Sequence, residues 1–266
     1  MTTSYLDCGE GRIAYEVQGE GPLAVCVPGM GDLRSTFRFT IPALLGAGYR
    51  VAAMDLRGHG ESDDGFSAYD DPALASDIRA LVTHLGGPAL LVGNSMGAAG
   101  SIIAAAEEPG LVAGLALMGP WVRDAKPNPL MRLVMRLALV KPWGPAAWRA
   151  FYKTLYPGSR PADLAAHLDR IGTSLRRGDH WRSFVRTTGT SHAPVEARLG
   201  DVRAPALIVM GEKDPDFPDP AAEARFAAER LRGELLVVPN SGHYPQADSP
   251  DVVNPAVVAF AAKVFA

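Results

Sequence analysis

The sequence predicts an α/β fold, a mostly parallel, doubly wound sheet that carries an inserted helical module. Short continuous apolar runs recur along the chain, helical periodicities alternate with them, and one segment, residues 121–190, breaks that rhythm. Strands covered by helices on both faces read as uninterrupted apolar runs, and alternation of strand with helix is the pattern of a parallel sheet.

Residues 12–18, Arg-Ile-Ala-Tyr-Glu-Val-Gln, alternate apolar and polar side chains, as a half-buried strand near a sheet edge does when it forms a hairpin with its neighbour. The runs Leu23–Val27, Val51–Met54, Ala89–Val92, Val112–Leu117, Ala206–Met210 and Leu235–Val238 predict strands covered on both faces. Helices are expected over 70–85, where Leu74, Ile78, Leu81, Val82 and Leu85 share a stripe, and over 96–108, 219–232 and 250–265. Residues 121–190 hold Trp121 and three further tryptophans, and the run Leu130–Val140 suits an amphipathic helix. Prolines 127, 129, 142, 145, 157 and 161 cut this segment into short pieces, because proline ends or kinks a helix. The division expected is a core over 1–120, a helical insertion over 121–190 and a second part of the core over 191–266.

A chain of 266 residues with 47% hydrophobic and 21% charged residues has the material for one sizeable core. The net charge of −3, from 26 basic and 29 acidic residues, supplies no overall field for nucleic acid or for anionic lipid. A small-molecule substrate is therefore the partner expected, with neither nucleic acid nor membrane. Cys8 and Cys26 are too few for a disulfide framework and are expected to be reduced. The first residues show no basic, apolar and small-residue export pattern, and no apolar run approaches the ~18 residues of a membrane helix, so a cytoplasmic location is expected. No CxxC pair, HExxH segment or Walker-type loop occurs, and no metal or other cofactor is expected.

The most informative stretch is Ala89–Ala104: an apolar strand, then Gly93-Asn94-Ser95-Met96-Gly97, then a helix of small residues. This is the strand–turn–helix setting in which a G-x-S-x-G pentapeptide presents its serine as a nucleophile. The glycines leave room where side chains would clash, and the helix N-terminus brings amides to developing negative charge. The structural alternative is that Ser95 merely caps a helix. Leu23-Ala-Val-Cys-Val-Pro-Gly-Met-Gly-Asp32 is a second strand ending in a glycine-flanked turn, and the amides of Met30 and Met96 are the expected oxyanion donors.

A serine hydroxyl needs a base. Among six histidines, His243 follows the last apolar run, where loops gather at the carboxyl edge of a parallel sheet. His84 lies on a helix, His59 within Asp55–Ser62, and His167, His180 and His192 in or beside the insertion, where substrate contact or solvent exposure is expected. Asp214, after the run Ala206–Gly211, completes the order Ser, Asp, His. Asp216, Asp219 and, more distantly, Asp124 are rivals for its place.

With these residues assembled, the sequence resembles the α/β-hydrolase superfamily over nearly all of the chain outside 121–190. Pro28-Gly29-Met30-Gly31 resembles the family's oxyanion loop, with proline where histidine often stands. Asp55-Leu-Arg-Gly-His-Gly-Glu-Ser62 resembles its D-x-R-G-x-G-x-S turn, which shapes the site from behind, and Gly93–Gly97, Gly211–Asp214 and Ser241–His243 resemble its elbow, acid and base motifs. The insertion corresponds to the family's cap, and Trp121, Met131, Leu133, Met135, Trp143, Trp148, Phe151 and Tyr152 would supply an apolar ceiling. Trp121, Met135, Trp148 and Tyr244 are the pocket residues this implies. The resemblance implies hydrolysis of an ester, thioester or lactone through an acyl-enzyme. Two other functions stay open. Gly-Asn-Ser-Met-Gly also resembles the elbow of meta-cleavage product hydrolases, which break carbon–carbon bonds, although those usually carry Trp where Tyr244 stands. A non-hydrolytic binding or biosynthetic protein can keep the same fold.

Overall fold

The apolar runs assemble into one eight-stranded sheet in the order β1-β2-β4-β3-β5-β6-β7-β8. The strands are β1 (Ser4–Asp7), β2 (Arg12–Gln18), β3 (Leu23–Val27), β4 (Arg50–Met54), β5 (Ala89–Asn94), β6 (Val112–Met118), β7 (Ala206–Gly211) and β8 (Glu234–Val238). The computed structural model describes residues 2–124 and 129–266. Strands β3 to β8 pair in parallel, whereas β1 and β2 form an antiparallel hairpin whose second strand runs antiparallel beside β4. The sequence did not mark β1, because its four mostly exposed residues make no apolar run.

The expectation that Leu235–Val238 is covered on both faces does not hold. Strand β8 pairs only with β7, and Leu235 and Val237 are exposed. An apolar, β-branched run reports fitness for a pleated surface, and an edge strand satisfies that without full cover.

Helices α2 (Asp71–Leu85), α3 (Met96–Glu107) and α9 (Pro220–Leu231) cover one face of the sheet, and α1 (Thr40–Gly46) and α11 (Pro250–Val264), which follows the single turn α10 (Pro245–Asp248), cover the other. Local chemistry sets their ends. The Asp70 carboxylate accepts from the Ala73 amide at the start of α2, and Gly86, at φ 77°, takes the left-handed conformation that ends it. Asp219 caps α9 in the same way, accepting from the Ala222 amide.

Helices α4 (Pro129–Ala138), α5 (Gly144–Thr154), α6 (Leu164–Ser174), α7 (His180–Thr187) and α8 (Ala193–Glu196) lie between β6 and β7. Trp148, Tyr152, Tyr156, Leu168, Trp181 and Phe184 make a third apolar cluster, joined from the core by Tyr244 and Ala247. The expected apolar ceiling is only partly realised. Trp148 and Tyr152 are buried in this cluster and Met135 packs against it, but Leu133, Trp143 and Phe151 are exposed. The Met131 side chain lies outside the described residues. Among the described residues, no helix is long and apolar enough to cross a membrane.

Candidate active site

Strand β5 runs directly into α3, and Ser95 is the residue at the bend. It has φ 54° and ψ −120°, a conformation that a residue bearing a side chain holds only when its surroundings force it. The neighbouring backbones do so. A Cβ on Gly97 would collide with the Val27 and Pro28 carbonyls, one on Gly93 would stand 2.7 Å from the Ala98 backbone, and one on Gly29 would stand 2.9 Å from the Ser95 Cβ. The elbow and the turn after β3 therefore meet at the serine itself.

The amides of Met30 and Met96 have no backbone acceptor among the described residues. Those at a helix start have none within the helix, so these donors are available to an incoming oxygen. The turn that carries Met30 is held by His59, whose Nε2 accepts from the Gly31 amide at 2.9 Å while its Nδ1 donates to the Arg57 carbonyl at 2.8 Å. Burial pushes this imidazole down to about 4, which keeps Nε2 unprotonated and able to accept.

Asn94 ties the elbow to the loop after β8: its amide group donates to the Met118 carbonyl at 3.0 Å and to the His243 carbonyl at 3.1 Å. On that loop the His243 Nδ1 donates to Asp214 Oδ2 at 2.7 Å, both groups being buried. The Ser95 amide donates to Met118, and a Cβ on the next residue, Gly119, would stand 3.1 Å from His243 Nδ1 and 3.2 Å from Asp214 Oδ2. Serine, imidazole and carboxylate thus converge on the carboxyl ends of β5, β6, β7 and β8.

Two of the three rivals of Asp214 are engaged elsewhere. Asp219 caps a helix, and Asp124 accepts from Ser191 Oγ and the His192 amide. Asp216 does reach the imidazole, from the other side: its Oδ2 lies 3.5 Å from His243 Nε2. Burial alone would push His243 down, but the charges of Asp214 and Asp216 and the Asp214 hydrogen bond outweigh it and raise the imidazole to about 9. Burial, with repulsion from Asp214, raises Asp216 despite the attraction of His243. Asp214, Asp216 and His243 are also the one cluster of metal-type side chains among the described residues, their ligand atoms lying within 4.8 Å of one another.

The Alpha/beta hydrolase family model matches residues 24–256. The chain belongs to the alpha/beta hydrolase family. Among its curated relatives, this hydrolase is 32% identical over 270 residues to the dihydrolipoyllysine-residue acetyltransferase component of an acetoin cleaving system from Pseudomonas putida. That match takes in 94% of this chain but 66% of the relative, so the chain spans just under two thirds of it. It is 29% identical over 266 residues to the 2-hydroxy-6-oxononadienedioate/2-hydroxy-6-oxononatrienedioate hydrolase of Klebsiella pneumoniae, covering 97% of this chain and 90% of that one. Among solved structures, an esterase from Exiguobacterium antarcticum superposes with a TM-score of 0.84 at 21% identity, each chain being covered completely.

Sequence reasoning missed part of this hydrolase's site. His167, His180 and His192, expected at the surface or against substrate, are all buried. His167 Nε2 donates to Asp32 Oδ1 at 2.8 Å, and the Tyr152 hydroxyl donates to Asp32 Oδ2 at the same distance. Two insertion helices are thereby fastened to a single carboxylate, two residues past Met30. His192 Nδ1 donates to Asp71 at 2.7 Å. Burial opposes ionisation of Asp32, but its partners, His167 first, hold it below the usual carboxylate range. The Asp-after-Gly in Gly31-Asp32 was the available signal, but nothing local pairs it with a histidine 135 residues away.

Of the four pocket residues expected, Tyr244 stands edge-on to the His243 ring at 5.2 Å, whereas Trp121 reaches it only through Phe217, whose ring is 5.0 Å from Trp121 and 6.5 Å from His243. Trp148 instead braces the turn after β3, its Nε1 donating to the Gly31 carbonyl. Tyr244 is buried, stacked on Tyr152 and Tyr156. Met135 is half-buried against the same cluster.

Proposed function

We propose that this hydrolase cleaves ester, thioester or lactone bonds of small, largely apolar substrates through an acyl-enzyme, with Ser95 as nucleophile, His243 as base and Asp214 orienting the imidazole. The observation that carries the reading is the seat of Ser95: a strained bend with free amides, tied through its neighbour Asn94 to the backbone of His243, whose imidazole is bonded to Asp214. Ser95 Oγ bonds to the carbonyl carbon while its proton passes to His243 Nε2, and the Met30 and Met96 amides donate to the oxyanion. Collapse breaks the bond to the leaving oxygen or sulfur, which takes that proton. Water then attacks the acyl carbon, gives a proton to His243, and the acid departs as the proton returns to Ser95. The reading puts the enzyme in the cytoplasm, in keeping with two free cysteines.

The Klebsiella relative supports a second reading, carbon–carbon hydrolysis of a vinylogous diketone. One experiment separates them. A fluorophosphonate should label the wild type but not Ser95→Ala, and short-chain p-nitrophenyl esters should turn over faster than a 2-hydroxy-6-oxo-dienoate. Preference for the dienoate favours the second reading; an intact protein that takes no label overturns both.

A further inference from the structure

Helix α4 has two apolar faces. Met135 and the following Leu139 turn inward onto the apolar cluster of the insertion. Leu130, Leu133, Val134 and Leu137, spaced i, i+3, i+4 and i+7, form a second stripe with exposures of 70%, 53%, 49% and 56%. A helix resting on a folded body ordinarily spends its apolar residues on the inward face. Just beyond, Trp143 is 54% exposed. Among the described residues, seven of the twelve exposed large apolar side chains lie between 130 and 151.

Along the sequence, charge is as unevenly distributed as exposed hydrophobicity. Residues 125–162 contain seven basic residues and no acidic one, leaving 19 basic against 29 acidic in the rest of the chain. The net charge of −3 conceals this segregation. Arg136, on α4 itself, and Lys141, just after it, are exposed, as is Lys153 at the end of α5. A second copy of the same face would oppose cation to cation, which disfavours a symmetric dimer there. An exposed stripe of Leu, Val and Trp with exposed basic residues on and after the same helix suits instead a surface whose headgroups are anionic and whose interior is apolar.

We propose that the α4 face is an interfacial docking surface by which this hydrolase adsorbs to anionic lipid, its leucines and Trp143 entering the acyl boundary and its basic residues meeting the headgroups. The reading of Ser95 plays no part in this.

The test is cosedimentation of the full chain with vesicles of phosphatidylcholine containing about 30% phosphatidylglycerol, against vesicles of phosphatidylcholine alone. The wild type should bind the anionic vesicles, bind the neutral ones at least about tenfold more weakly, and be released by added salt. Leu133→Glu/Leu137→Glu should lower the partition coefficient about tenfold or more, and Arg136→Glu/Lys141→Glu should do the same through charge alone. Since all four side chains are exposed, the thermal midpoint should not move; if the leucine variant does unfold, the charge variant alone carries the test. Absence of wild-type binding to anionic vesicles at low salt overturns the proposal, as does binding that both variants leave unchanged. A dimer that dissociates in Leu133→Glu/Leu137→Glu, without vesicle binding, assigns the face to a second copy instead.

Discussion

Two regions of this molecule hold nearly the same three side chains. In one, Ser95 sits next to Asn94, whose amide group donates to the His243 carbonyl, and the His243 imidazole is bonded to Asp214 at 2.7 Å; in the other, Ser35 Oγ lies 3.3 Å from His167 Nδ1, whose Nε2 is bonded to Asp32 at 2.8 Å. The second set even borders a cleft of about 700 Å³ lined by Ser35, Leu33, Arg34 and Arg38. The difference is in the backbone. Ser35 sits in a short 3₁₀ turn over 34–37, and the amides on either side of it are already engaged, Arg34 with Asp55 and Thr36 with Leu33. Ser95 sits at φ 54° with free amides at hand. A serine, an imidazole and a carboxylate in a row are therefore a structural fastening in one place and a candidate catalytic relay in the other. What separates them is the preorganised home for negative charge.

The comparison breaks most readily at His243. His243→Ala should lower kcat/KM for a short-chain ester by about 10⁴-fold or more with little change in KM; survival of the activity would remove the distinction. His167→Ala should act on stability instead. Leaving Asp32 buried without its imidazole should cost about 3–5 kcal/mol in denaturant unfolding. Asp32 is held low in the folded state, so the stability it contributes is present above its unfolded value and lost as pH falls through the folded one, in the acid range below the usual 3.8.

Asp216 sharpens the contrast from a third direction, since it faces His243 Nε2, the atom that takes the serine proton in the proposed mechanism. With His243 raised to about 9 the imidazole is protonated below that pH, so kcat/KM should climb with pH toward 9. Stability has the opposite sign: what His243 contributes is fully present below its unfolded value and is lost as pH rises through about 9. Asp216→Asn should move the acid limb of kcat/KM down by about one pH unit; an unmoved limb would mean that Asp216 does not act on the imidazole. The smallest effect belongs to Ser35→Ala, which should leave fluorophosphonate labelling and ester turnover within about twofold of wild type.

Pattern along the chain located the strands from β2 to β8, the four longest core helices and the bend at Ser95, because each follows from residues within a few positions of one another: apolar runs, 3.6-residue periodicity, and glycines where backbones touch. It pointed as well to His243 and Asp214, which follow strands that must end at the same edge of a parallel sheet. The outward stripe of α4 was legible as an amphipathic helix, but not the side on which its leucines would lie. Tertiary structure alone decided that Asp216 faces His243 Nε2, that β8 is an edge, and that Asp32 gathers His167 and Tyr152 from the insertion. These contacts join side chains far apart in sequence, and burial is conferred by whatever packs on top, which no local pattern records.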